Sequence, residues 1–111
     1  MDEQSVREHA QAHCDALLSG DIGLAAKEMS RELQSSLGPF VAMLPLPLTA
    51  ASVESVEMAG KAYRAVLNLV GDSGTIRLET RWKDRDGRPT IVEASHIPEA
   101  PPPEPEEGEE A

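Results

Sequence analysis

Few side chains in this chain can do chemistry: three histidines, one cysteine, one tyrosine and one tryptophan among 111 residues. An imidazole ionises near neutral pH and can carry a proton, so the histidines come first. His9 and His13 stand four apart, which puts both rings on one side of a helix. Such a pair chelates a metal only with a third ligand, and His96 is the one residue that offers itself. Cys14 has no partner for an internal disulfide and no nearby cation to lower its pKa. It reads as a small apolar residue.

His13 has a second property. At about 100° per residue it lies about 20° from Val6 and about 40° from Leu17, near the centre of an apolar stripe. An imidazole there is either a hydrogen-bonded core or pocket-wall residue, the simpler reading, or a proton carrier, the sharper one. Trp82 and Tyr63 divide in the same way between core filling and stacking on a ligand. The pocket candidates are therefore His13, Leu17, Tyr63, Thr80, Trp82 and His96. No catalytic residue, metal or cofactor is assigned.

The elements that would hold these residues follow from period. Residues 4–19 carry Val6, Ala10, His13, Cys14 and Leu17 on one helical face, closed by Gly20 as C-cap and followed by Asp21 as N-cap. "IGLAAKEMS" makes a second helix with Ile22, Ala25, Ala26 and Met29 inward. Ser30 caps a third, striped by Leu33, Leu37, Val41 and Leu44, which Pro39 kinks or splits after Gly38. "PLPLT" then crosses in extended form. From Ala51 the period is two: "SVESVEM", "KAYRAVLNLV", "TIRLETRW" and "PTIVEASHI" read as four strands, joined through Gly60, "GDSG" and "DRDG". Ile76, Leu78, Thr80 and Trp82 alternate inward, with Tyr63, Ala65, Leu67 and Leu69 beside them. Helices followed by a meander predict an α+β domain over residues 1–97.

Charge supplies exclusions. The net is −10, with nine acids against three bases in residues 1–60 and seven bases against five acids in 61–97. An acidic chain is repelled by nucleic acid and by anionic membranes, so neither is an expected partner. The basic excess of 61–88 is interleaved with acids and reads as a solvated sheet face. Residues 98–111, "PEAPPPEPEEGEEA", lack apolar bulk and read as a disordered acidic tail. They serve either as a solubilising spacer or as a cover in which Glu104, Glu106, Glu107, Glu109 and Glu110 lie over the basic face. No signal peptide or membrane span is read, which predicts a cytoplasmic protein.

Three helices with a kinked third, a twisted antiparallel sheet, "DALLSGD" closing the first helix and "RWKDRDGRPTIVEASHI" in the last hairpin together resemble the SnoaL-like and ketosteroid-isomerase-like superfamily, also called nuclear transport factor 2-like. The resemblance covers residues 3–97. It implies a curved four-stranded sheet wrapped around three helices as a cone, an apolar pocket at the open end, and dimerisation through the outer sheet face. The isomerase chemistry of that superfamily needs an inward carboxylate base and a Tyr–acid pair. The aspartates here fall at a terminus, in caps, in turns or on the polar face of the first helix. Glu54 alone is placed to share a face with Val56 and Met58, and Tyr63 is on a strand, so no catalytic residue carries over.

The outer face should carry Arg64, Val66, Asn68, Val70, Arg77, Glu79, Arg81, Ile91, Glu93, Ser95 and Ile97. Of these Arg64, Val66, Arg77, Arg81 and Ile91 are the dimer-face candidates. The leading reading is a dimeric module that binds a small apolar ligand or acts as a non-catalytic accessory. An isomerase or dehydratase using His13, with Tyr63 or His96 assisting, stands second. A scaffold whose cone is filled by its own side chains stands third.

Overall fold

In the computed structural model, which describes residues 1–97, helix α1 (Glu3–Ser19) opens on a capping box. The Asp2 carboxylate accepts from the Ser5 amide at 2.8 Å, and the Asp2 amide donates back to Ser5 Oγ at 3.1 Å. Two orphan amides of the first turn are thereby satisfied. Gly20 ends the helix in the left-handed region at φ 82°, where a side chain would be strained. Asp21 then caps α2 (Ile22–Ala26), and Ser30 caps α3 (Arg31–Gln34) by accepting from the Leu33 amide. The Gln34 amide group ties these pieces together, donating to the carbonyls of Ala26 and Met29.

The third predicted helix is two helices. Its break falls at Ser35–Ser36, ahead of α4 (Leu37–Ala42), and not after Gly38. Pro39 thus becomes the third residue of α4. Its missing N–H lies in a first turn that has no intrahelical acceptor to offer, so the proline costs no helical hydrogen bond there.

The sheet is an antiparallel meander of β1 (Leu48–Ala59), β2 (Ala62–Gly71), β3 (Gly74–Arg85) and β4 (Arg88–Ile97), in the order β1-β2-β3-β4. It is curved and does not close. Asp86 and Gly87, both at positive φ, make the two-residue turn of the last hairpin. Helix α1 packs chiefly on β1 and β2, and Leu17, Leu67, Leu69, Leu78, Trp82 and Ile91 have no exposed surface.

Two bulges change which residues face inward. In β4, Trp82 pairs with Ile91 while Arg81 pairs with Glu93, so Val92 is the extra residue. Ile91 therefore points into the core instead of onto the outer face, and it is not a dimer-face residue. In β1, Val53 pairs with Leu67 and Ser55 with Val66, leaving Glu54 as the extra residue. Glu54 turns outward, away from Val56, and binds Arg77. A bulge reverses the alternation of everything beyond it, which strict period-two counting cannot follow.

The bulge in β4 coincides with a cover on its free edge. Ser30 donates to the Ile91 carbonyl and Ile91 to the Glu28 carbonyl, each at 2.7 Å. Residues 28–30 thus occupy part of an edge that would otherwise present unpaired backbone. At the sheet's other end the backbone of Gly71 meets the α4–β1 crossing. A Cβ at position 71 would overlap the Pro45 carbonyl oxygen and lie 2.9 Å from its carbon and 3.0 Å from the Pro47 oxygen. Those are main-chain atoms that cannot rotate aside. Gly71→Ala is expected to cost about 3 kcal/mol, read as a fall in the urea midpoint. An unchanged midpoint would contradict this packing.

Candidate functional site

The six pocket candidates do not form one pocket. Thr80 and Trp82 are fully buried and bonded in series: the Trp82 indole N–H donates to Thr80 Oγ1 at 2.8 Å, and Thr80 Oγ1 donates to the Ala65 carbonyl at 2.8 Å. Each donor is used within the chain, so the pair fills the interior as a satisfied polar network. Leu17 is core. Tyr63, opposite Trp82 across the β2–β3 ladder, is half-buried. His96 pairs with Leu78 but is exposed.

His13 is 0% exposed. Its Nδ1 lies 3.0 Å from the Ala25 carbonyl, which can only accept, so Nδ1 carries the hydrogen and donates. Nε2 is then a buried lone pair without a partner among the described residues. The Phe40 ring lies 6.3 Å away, tilted by 47°. Burial lowers the His13 pKa to about 4, and the bond to Ala25 and the charge of Glu28 only partly oppose this. The ring is neutral at pH 7. Next to it, burial and then the Asp15 charge push the Cys14 thiol up to about 12, which leaves it inert as a nucleophile.

His9 does not join His13 in a metal site. It meets Glu28 at 3.0 Å through Nδ1, and Glu28 also faces Arg88 at 3.5 Å. Among the described residues no three His, Cys, Asp or Glu gather around one point. Nor is any described Asp or Glu buried, so no carboxylate faces the interior as a base. Glu28 as the link between α1 and the last hairpin was not legible beforehand, since nothing in its own segment marks it.

Two concavities lie outside the cone. The larger, of about 640 Å³, runs between the α2–α3 segment and the β3–β4 hairpin, and Lys27, Arg31, Arg85 and Arg88 line it with Ser30 and Thr90. Glu32 and Asp86 are its acids, and Arg85 meets Glu32 only at 3.9 Å. The smaller, of about 400 Å³, is apolar and lined by Leu17, Leu18, Ile22, Leu46, Pro47 and Leu48. Leu17 is the single pocket candidate that reaches it.

The outer sheet face is a lattice of ion pairs. Arg64 bonds Glu79 at 2.6 Å and Glu57 at 3.0 Å, and Arg77 grips both oxygens of Glu54 at 3.0 and 2.7 Å. Arg81 faces Glu93 at 4.0 Å. Val66, between Ser55 and Glu79 on its neighbouring strands, is only 2% exposed beneath these side chains. Four of the five dimer-face candidates therefore do share this face, and Ile91 does not.

Neither a family profile nor a curated protein matches the sequence. Solved structures match nearly all of it. A nuclear transport factor 2-like protein of unknown function from Shewanella baltica OS155 superposes with a TM-score of 0.64 at 12% identity, over 86% of this chain and 94% of its own. One from Burkholderia xenovorans LB400, likewise of unknown function, gives 0.61 at 15% identity, over 92% and 90%. A protein from Kribbella flavida DSM 17836, provisionally named a ketosteroid isomerase, gives 0.57 at 19% identity, over 95% and 87%. Identities this low carry a fold and no activity.

Proposed function

We propose that this chain, which has the nuclear transport factor 2-like fold, serves as a non-catalytic module that works through its surface, pairing two copies across the outer sheet face. One observation carries the reading: the interior, where this fold would hold a ligand, is occupied by Trp82, Thr80 and a fully buried His13. A base that cannot meet substrate performs no proton transfer, whatever its pKa.

The outer face spans all four strands of the sheet. Four strands about 4.8 Å apart and about 30 Å long present about 600 Å². Two copies would bury about 1,200 Å², at the lower bound of stable interfaces. The ion pairs are complete within each chain, so an incoming copy meets neutralised charge around half-buried Val70 and Ile97. Light scattering at micromolar concentration is expected to give the mass of two chains. Val70→Glu should return the mass of one, with the circular dichroism spectrum unchanged. A single-chain mass for the unaltered protein would end this reading.

The apolar groove beside Leu17 favours a second reading, a small apolar ligand held at the flank of the cone. Leu18 is 41% exposed there, an unusual position for a leucine beside a ready-made concavity. Native mass spectrometry of freshly purified protein tests it directly. A co-purified adduct lost in Leu18→Asp supports it, and a bare protein mass opposes it.

A further inference from the structure

We propose that the groove between the α2–α3 segment and the last hairpin binds a small multivalent phosphate compound, a short polyphosphate or a phosphorylated polyol. The site is independent of the pairing of two copies, because none of its lining residues belongs to the outer-face ion pairs.

Four cations, Lys27, Arg31, Arg85 and Arg88, line the groove against two acids, Glu32 and Asp86, in a chain whose net charge is −10. Lys27 and Arg31 have no carboxylate within ion-pair distance among the described residues. Arg85 reaches Glu32 only at 3.9 Å, and an exposed pair at that distance contributes little. Arg88 shares Glu28 with His9. Arg85 and Arg88 also stand directly opposite each other in the β3–β4 ladder, where like charges repel. An anion bound between them turns that repulsion into attraction.

The frame that carries these cations is fixed before any ligand arrives. Ser30 and Glu28 are both bonded to the backbone of Ile91, and the Gln34 amide clamps the carbonyls of Ala26 and Met29. A preorganised site loses less entropy on binding. Its volume of about 640 Å³ falls within the range of small-molecule sites.

The lining also selects among anions. The Thr90 hydroxyl already donates to the Arg88 carbonyl at 3.1 Å, and the Gln34 amide is used as described, so recognition rests on charge. The cations come from two segments and approach an anion from different directions. A tetrahedral phosphate offers oxygens in several directions, whereas a carboxylate offers two in one plane. No aromatic side chain lines the groove, so nothing there stacks on a nucleotide base. Long nucleic acids meet the acidic chain as a whole. A short anion inside the groove lies within about 10 Å of its cations and is screened from more distant acids.

Tripolyphosphate titrated into the ¹⁵N-labelled full chain, read by amide NMR shifts, tests the proposal. The acidic segment 98–111, which lies outside the described residues, is then present in every arm. In about 0.05 M salt, saturable shifts should centre on residues 27–34 and 85–90, and the affinity should fall more than about tenfold in about 0.5 M salt. ATP should bind within about threefold of tripolyphosphate, and citrate about tenfold more weakly. Arg31→Gln and Arg85→Gln, both at exposed positions, should each weaken binding about fivefold with the rest of the spectrum unchanged. Arg31→Lys should recover most of that loss, and Lys61→Gln, in the β1–β2 turn, should cause none. Absence of saturation, shifts centred on Arg64 and Arg77, citrate binding as tightly as tripolyphosphate, or equal effects of Arg31→Gln and Lys61→Gln would each overturn the assignment. None of these outcomes bears on the dimer, whose readout is mass.

Discussion

Trp82→Ala is expected to cost about 4 kcal/mol, the largest single loss in the chain, because it empties the middle of the cone. Trp82 is 0% exposed and meets Leu78, Ile91 and Leu67 in one apolar cluster. For a domain of this size such a loss lowers the melting temperature by about 20 °C. The indole has a second attachment, its N–H bond to Thr80 at 2.8 Å. Thr80→Val deletes the acceptor, leaves a buried N–H unsatisfied, and should cost about 2 kcal/mol. Trp82→Phe with Thr80→Val removes donor and acceptor together, and the two losses should then sum to less than the separate changes imply. Chemical denaturation of the parent, Trp82→Ala, Thr80→Val, Trp82→Phe and the double variant measures all of this. If Trp82→Ala melted within a few degrees of the parent, the interior would be loose enough for a ligand, and the filled-cone argument would fail.

The parts of this fold that sequence predicts well are the parts governed by local rules. Helix α1 shows most of its buried face in the spacing of Val6, Ala10, His13, Cys14 and Leu17, and Gly20 marks its end, whereas Ala16 and the Asp2–Ser5 capping box do not stand out from the sequence. The four strands likewise appear in order, because alternation and the "DG" turn are short-range signals. What escapes is set by contacts between distant segments. Ile91 turns inward because residues 28–30 bind its backbone and a bulge forms at Val92, a fact with no trace in "PTIVEASHI" itself. Glu54 turns outward at a bulge and meets Arg77, two strands along and 23 residues away, which holds it there.

The candidate site divides in the same way. That His13 lies on the apolar face is a matter of helical period and was legible. Whether the space beside it is open depends on the volumes of Trp82 and Thr80 from β3 and Phe40 from α4, two elements far apart from α1 in sequence. The basic groove was hidden for a related reason. Lys27 and Arg31 lie in an acidic half of the chain and Arg85 and Arg88 in a basic hairpin, and only the fold brings them to one wall.

The second large effect is a dependence on acid that traces to one ring. In the unfolded chain His13 binds a proton near its ordinary pKa of 6.5, whereas in the folded chain burial lowers this to about 4. Between these values the unfolded state holds the extra proton, so stability rises with pH across the window and falls as acid is added. The contribution is complete above pH 6.5 and is lost as the pH drops towards 4. A gap of this width corresponds to about 3 kcal/mol, a large share of the stability of a small domain. The cause is desolvation: protonation would place a cation where Nε2 finds no partner and the only donor bond, to Ala25, is already made. His13→Leu has no proton to bind and also loses that bond, so it should be less stable at neutral pH but flatter against acid. Urea midpoints from pH 7.5 down to pH 4.5 are expected to converge for the two proteins. Parallel curves would mean that water or solvent ions reach the imidazole, and with them the possibility that His13 meets a substrate.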